Sequence, residues 1–316
     1  MKTILVTGGS GFIGSCFIRK VLEKTSKIIN LDLLTYAANK ELIQASNYEF
    51  IKGDICDQKL VQSLLDKGVD TIVHFAAETH VDRSIVSSRP FIDTNVLGTL
   101  SLLEAIRKFP SIHFHHVSTD EVYGELGSTG AFNETSHYAP NSPYSASKAA
   151  SDHLVRAFAH TYGLKTTISH CSNNYGPGQY PEKLIPLVLK KCLISQPIPL
   201  YGNGTNVRDW LFVEDHVDAI WRILESGKVG ETYDIGGGTE MTNLDLVHLL
   251  TDLLTETTGK EYRSLITYTK DRPGHDFRYA IDSSKIKRDL GWEPVTSFAE
   301  GLKTTITSYL NQFQPQ

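Results

Sequence analysis

Through the first half of the chain, short apolar runs alternate with longer stretches in which apolar residues return every three or four positions. The runs "KTILVTG", "KIINLD", "YEFIKGD", "DTIVHFAA", "IHFHHVST" and "KTTISHCS" are rich in Val, Ile, Thr and Phe and predict strands. Segments 12–24, 57–66, 84–107 and 144–162 between them carry a helical period. Such alternation implies right-handed crossovers and therefore an α/β fold built on a doubly wound parallel sheet of Rossmann type. Beyond about residue 173 the pattern loosens, with Pro, Gly and Asn at turn-forming density in "NNYGPGQYPEKLIPL" and "QPIPLYGNGTNVRDW". "VGETYDIGGG" predicts one more strand, and "TNLDLVHLLTDLLTETTG" predicts a helix closed by Gly259. The expected division is a Rossmann-type domain over 1–172 plus about 209–235, and a smaller, irregular C-terminal lobe over about 173–208 and 236–316. A ligand belongs in the crevice between that lobe and the strand ends.

Composition narrows the classes of function. The 316 residues are 40% hydrophobic, enough for a large core. Lys plus Arg number 31 against 36 for Asp plus Glu, giving a formal charge of −5 with no basic run. That balance argues against nucleic acid or an anionic membrane as partner. Cys16, Cys56, Cys171 and Cys192 are scattered without C-x-x-C or metal-finger spacing, as in a reducing compartment. No stretch approaches the roughly 20 apolar residues of a membrane span. The first residues lead into a strand and a glycine turn rather than a secretion signal. A soluble, cytoplasmic protein is expected.

Three local patterns carry chemistry. "VTGGSGFIG" follows the first strand and opens the first helix, with Gly8, Gly11 and Gly14 three apart. Residues without Cβ there let the backbone approach a pyrophosphate at a positive helix N-terminus. Asp32 ends the second strand, roughly 20 residues on, where an acid accepts ribose hydroxyls and repels a 2′-phosphate, favouring NAD over NADP. In "NSPYSASKAASDHLVRAF", Tyr144 and Lys148 lie four apart and share a helix face, where an ammonium is expected to favour the phenolate. Finally, "HVSTDEVYG" places Asp120 and Glu121 side by side at the end of a strand. Adjacent carboxylates drive their pKa values apart, leaving one a proton donor and the other an acceptor. The couplet alone does not say which is which.

With these residues in place, the chain resembles the extended short-chain dehydrogenase/reductase superfamily. Within it, "AAETHVDRSI", "STDEVYG", "PNSPYSASKAASDHL", "CSNNYGP", "PEKLIPL", "NVRDWLFVEDH" and "RPGHDFRYAID" are similar to the dTDP-glucose 4,6-dehydratase family, in that family's order. The resemblance implies a lyase that oxidises C4 of the hexose of dTDP-glucose, eliminates water across C5 and C6, and returns hydride to C6, with NAD as cofactor. Oxidation at C4 acidifies the C5 proton, since its carbanion is then an enolate.

The resemblance also assigns roles. Asp120 becomes the acid at the C6 oxygen and Glu121 the base at C5. Tyr144 takes the C4 hydroxyl proton, with Lys148 steering its ionisation and Thr119 bonding the C4 oxygen. The cofactor set is Gly8, Gly11, Phe12, Ile13, Gly14, Asp32, Leu33, Thr35, Asp54, Ile55, Ala76, Ala77, Thr94, Tyr144, Lys148 and Asn174. The substrate set is Thr79, Thr119, Asn173, Lys183, Leu184, Tyr201, Arg208, Asn243, Arg272 and His275, the arginines matching phosphate oxygens.

Two departures from the family pattern are Gly178, where an aromatic residue is usual, and Ala38, where glycine is usual; the first is expected to widen the pocket mouth. No metal is implied: His113, His115 and His116 share a strand without a completing carboxylate or Cys, and read as structural. Apolar Val96, Leu97, Leu100, Leu103 and Ile106, and Leu154, Val155, Ala157 and Phe158, surround much of two helices, which predicts a homodimer through a four-helix bundle. The alternative within the superfamily is a UDP-glucose 4,6-dehydratase or a 4-epimerase; an epimerase has no use for the acid couplet.

Overall fold

The computed structural model describes residues 2–39 and 43–313. Seven of the predicted runs form strands of one parallel sheet: β1 (Thr3–Thr7), β2 (Lys27–Asp32), β3 (Tyr48–Lys52), β4 (Thr71–His74), β5 (His113–Thr119), β6 (Lys165–Cys171) and β7 (Thr232–Ile235). Their order is β3-β2-β1-β4-β5-β6-β7. Every pairing is parallel, so all C-terminal ends meet at one edge.

Period-two alternation builds a core on each face. Ile4, Val6, Ile28 and Val73 face Phe17, Val217, Ile220 and Trp221 on one side. Leu5, Ile29, Leu31 and Phe114 face Leu64, Leu102, Leu103 and Val155 on the other. At about 25 cal/mol per Å2 of apolar surface, layers of this size dominate the folding energy. Polar residues of β5 and β6 form cross-strand ladders: buried His115 bonds the hydroxyls of Thr167 and Ser169, and half-buried His113 that of Thr167.

The smaller lobe has its own core, in which Ile185, Leu189, Trp210, Phe212, Leu250, Leu302 and Ile306 pack together. Strand Val207–Phe212 lies between Asn173–Tyr175 and Glu240–Thr242 in a three-stranded sheet, so residues 209–212 belong to this sheet rather than to the large one. Helix Val213–Ser226 returns to the large sheet.

The helix predicted over 84–107 is instead several pieces. Val81–Val86 ends at an extended Ser87, Pro90 starts a new turn, and Ile92–Gly98 is a π-helical segment running into Thr99–Ile106. Proline lacks the N–H needed to continue a helix, and a π bulge recurs at functional sites because it redirects one side chain. Here that side chain is Asn95, whose amide grips both backbone groups of Glu78 and the hydroxyl of Ser147. Among the described residues no helix is long and apolar enough to cross a membrane.

Candidate active site

A cavity of about 340 Å3 opens along the C-terminal edge of the sheet. Its floor is the glycine turn, with Gly8, Gly11, Phe12, Ile13 and Gly14 on the wall. Gly8 holds φ +71, and a Cβ there would lie 2.5 Å from the Ala76 nitrogen; at Gly14 it would lie 2.3 Å from the Gly8 carbonyl oxygen. Gly11 caps helix Phe12–Val21 without a side chain, leaving its first amides bare toward the cavity. Asp32 accepts from the amides of Ser10 (2.9 Å) and Leu34 (2.7 Å), which ties the turn to the end of β2 and fixes its carboxylate on the wall. Leu33, Thr35, Asp54, Ile55, Ala76, Ala77, Thr94 and Asn174 line the same cavity, so every residue of the expected cofactor set faces one space.

Thr119, Asp120 and Glu121 stand where β5 gives way to a 3-10 turn, Asp120–Tyr123. The Thr119 hydroxyl accepts from the Glu121 amide and donates to Asp120 Oδ1, while Asp120 Oδ2 is buried without a hydrogen-bond partner among the described residues. Burial, then the charges of Glu121 and Asp209, push the Asp120 carboxyl well above the usual range. Burial also raises Glu121, but Arg272, Lys183 and Arg208 pull it back. The two acids are therefore unequal: Asp120 favours its protonated form far more strongly.

Helix Pro143–Tyr162 begins with a capping box between Ser142 and Ser145 and presents Tyr144 and Lys148 to the cavity. The expected lowering of the Tyr144 hydroxyl by Lys148 is not what the protein alone provides. Burial and the neighbouring Glu121 and Cys171 push that hydroxyl well upward, with only a hydrogen bond to Thr119 acting the other way. The Lys148 ammonium is engaged elsewhere, donating to the Val117 carbonyl at 2.8 Å and lying 3.4 Å from His116 Nε2.

Of the expected substrate set, Thr79, Thr119, Asn173 and Lys183 line the cavity, and Lys183 Nζ donates to the Thr79 carbonyl. Arg208 and Arg272 are near enough to stabilise the Glu121 charge. Arg208 is buried with its guanidinium over Tyr279 (4.4 Å), and Arg272 reaches Asp82 at 3.1 Å. Tyr201 donates to the same Asp82 and faces the His275 ring at 6.1 Å. Leu184 and Asn243 open helices of the smaller lobe and do not line the cavity; Leu184 packs on that lobe's core.

Asp82 is a bridge the motif reading missed, because nothing in its spacing marks it. Gly178 is not among the residues that line the cavity. It holds φ +83 away from the cavity wall, and the T-shaped pair of Tyr36 and Tyr180 (5.4 Å) stands nearby, Tyr180 on the wall and Tyr36 bonded to Glu182. Ala38 lines the cavity in a turn closed onto Thr35.

The family model described as GDP-mannose 4,6 dehydratase matches residues 5–305. The dTDP-glucose 4,6-dehydratase of Xanthomonas campestris pv. campestris strain B100 is 53% identical, over 98% of this chain and 93% of that protein. Among solved structures, the dTDP-glucose 4,6-dehydratase of Bacillus anthracis in complex with NAD aligns with TM-score 0.91 at 47% identity, covering 98% of this chain and 97% of that one. The Streptomyces venezuelae enzyme of the same name, with NAD bound, aligns with TM-score 0.94 at 46% identity and the same coverage. Likeness at this level, spanning both lobes and the whole cavity, fixes the kinship: the chain belongs to the dTDP-glucose 4,6-dehydratase family of the extended short-chain dehydrogenase/reductase superfamily.

Proposed function

We infer that this chain is an NAD-dependent lyase that converts dTDP-glucose to its 4-keto-6-deoxy product. The observation that carries the reading is the unequal acid couplet beside Tyr144 and Lys148 on one cavity wall. The glycine turn that a Cβ would fill, the bare helix N-terminus and the carboxylate of Asp32 fit the pyrophosphate and adenosine ribose of NAD. When bound, NAD supplies the hydride acceptor for C4 and the donor for C6. Thr94 and Asn174 would hold the nicotinamide end, and Lys148 its ribose.

Tyr144 must first lose its own proton to solvent, an ionisation that the Lys148 ammonium favours; as phenolate it then accepts the proton of the C4 hydroxyl, and Thr119 holds the C4 oxygen. Glu121, whose charged form Arg272, Lys183 and Arg208 favour against burial, removes the C5 proton. Asp120, kept protonated by burial, delivers a proton to the departing C6 oxygen. The structural asymmetry supports this division of labour. Thr79, Asn173 and Lys183 contact the hexose. Arg208, Arg272, His275 and Asn243 meet the ribose and diphosphate, Tyr201 the base, and Leu184 the sugar nucleotide near Lys183. The cleft lies between the Rossmann-type domain and the C-terminal lobe, and two copies associate through helices 92–106 and 143–162.

The test has two arms. dTDP-glucose and UDP-glucose are offered separately and the 4-keto-6-deoxy product is assayed; product from the thymidine sugar at much the higher kcat/KM is expected. In Glu121→Gln, oxidation at C4 is expected to survive while water loss falls by about 10²–10⁴-fold, the worth of a positioned base. Dehydration at the parental rate would remove Glu121 from the role of base.

A further inference from the structure

Behind the cavity a line of buried ionisable groups runs away from Lys148, and the reaction as described does not use it. Lys148 Nζ lies 3.4 Å from His116 Nε2, and the same nitrogen lies 3.2 Å from Asp152 Oδ1. Asp152 Oδ2 lies 3.0 Å from His170 Nε2, and His170 Nδ1 lies 2.8 Å from Asp234 Oδ1. Lys148 is 4% exposed and the other four are fully buried. His116 Nε2 faces both an ammonium and a carboxylate oxygen, and it can accept from one or donate to the other, not both. Among the described residues His116 Nδ1 has no hydrogen-bond partner to fix the tautomer.

We propose that Asp152 is a positioning residue for the reaction: across the His116 ring, the charge of its carboxylate keeps Lys148 an ammonium. His170, clamped between Asp152 and Asp234, then sets how much of that negative charge Lys148 feels.

The electrostatics agree with the geometry. Burial drives Lys148 down to about 8, and Asp152 is the leading influence in the other direction. Burial also opposes charge on His170, yet its bonds to Asp152 and Asp234 raise it to about 9. Burial holds His116 down at about 4, so it is neutral. Charge therefore runs from the Lys148 ammonium through the neutral His116 ring to the Asp152 carboxylate and the His170 imidazolium.

Among the described residues, Cys171 also acts to raise Lys148, less than Asp152 does, and burial pushes its own thiol up. Facing Lys148 are Tyr144 from its own helix, Cys171 from β6 and His74 from β4, all held neutral by burial. Asp120, beyond Cys171, favours its protonated form. Facing His170 are Tyr123 and Tyr138, which donate to Asp234 and Asp152, while Glu134 accepts from the Asp234 amide. Ser118 adds a bond to Asp152 at 3.0 Å.

The proposal rests on the role given to Lys148 above, but its test needs no turnover. The chain without substrate is acylated with acetic anhydride across a pH series, and Lys148 labelling is read by mass spectrometry. Asp152→Asn is expected to lower the labelling midpoint by about one unit or more, the scale of a nearby opposite charge. Asp152→Glu, which retains the charge, should restore it. His170→Gln, which removes the neutralising cation, should move the midpoint upward. The alkaline limb of the kcat–pH profile should follow in the same directions, whereas a merely structural role would lower kcat evenly across pH. An unmoved midpoint in a folded Asp152→Asn chain overturns the proposal, as does a downward shift in His170→Gln. If Asp152→Asn does not fold, the sign of the His170→Gln shift decides alone.

Discussion

At the scale of single residues, the site depends on where a side chain is absent as much as on where one is present. Gly8 combines a left-handed φ with backbone packed where its Cβ would go. Gly8→Ala is therefore expected to lower the melting temperature and weaken NAD binding at least tenfold, read by calorimetry and by titration with NAD; unchanged binding would contradict the cradle. Glycines, the Asp32 carboxylate and the Tyr144–Lys148 spacing were legible in the sequence because each signal is local: a turn, a strand end, one helical turn. The state of the Tyr144 hydroxyl was not legible. Burial and Glu121 govern it, and Glu121 reaches it only through the tertiary fold. Asp152 offered a signal that spacing alone could have caught, since it lies one helical turn beyond Lys148.

At the scale of elements, helix Pro143–Tyr162 serves two surfaces. One side carries Tyr144 and Lys148 to the cavity, and Val155 and Phe158 are buried against the large sheet's core. Ala157 remains exposed, and Ile92 and Leu97 on the neighbouring helical segment are 42% and 44% exposed. Large apolar side chains left open on adjoining helices favour association. Light scattering coupled to size-exclusion chromatography is expected to give a dimer at micromolar concentration, and Leu97→Asp to shift it toward monomer; a monomeric parent would contradict the bundle. The boundaries of helix 143–162 were readable from its cap and Pro143. The break at Pro90 and the π turn were harder, because the apolar period runs on through them while the hydrogen bonds of Asn95 decide the geometry.

For the whole molecule, the buried ionisable groups give stability a defined dependence on pH. His170 is raised from 6.5 to about 9 in the fold, so its contribution is fully present below pH 6.5 and is lost as pH rises toward 9. His113 and His116 are held down at about 4, so stability is lost on the acid side as pH falls from 6.5 toward 4. Lys148, lowered from 10.5 to about 8, adds stability with rising pH only above pH 8. Calorimetry should find the melting temperature declining from pH 6.5 toward pH 8, less steeply in His170→Gln than in the parent; a parental profile flat over that interval would contradict the assignment. The doubly wound sheet was legible from alternation alone, since each strand is a continuous run and each crossover a long helix. In the smaller lobe the helix ending at Gly259 was legible but the strand pairing was not, because its strands of three to six residues pair across distant segments and polar bridges such as Asp82 to Arg272 join both halves of the chain.

The most direct measurement follows one hydrogen. dTDP-glucose carrying deuterium at C4 is converted in ordinary water, and the product is examined by NMR. Deuterium is expected at C6 of the 4-keto-6-deoxy sugar, with a solvent proton at C5. Deuterium retained at C4, or released to water, would contradict an oxidation, elimination and reduction carried out around one sugar ring in this cavity.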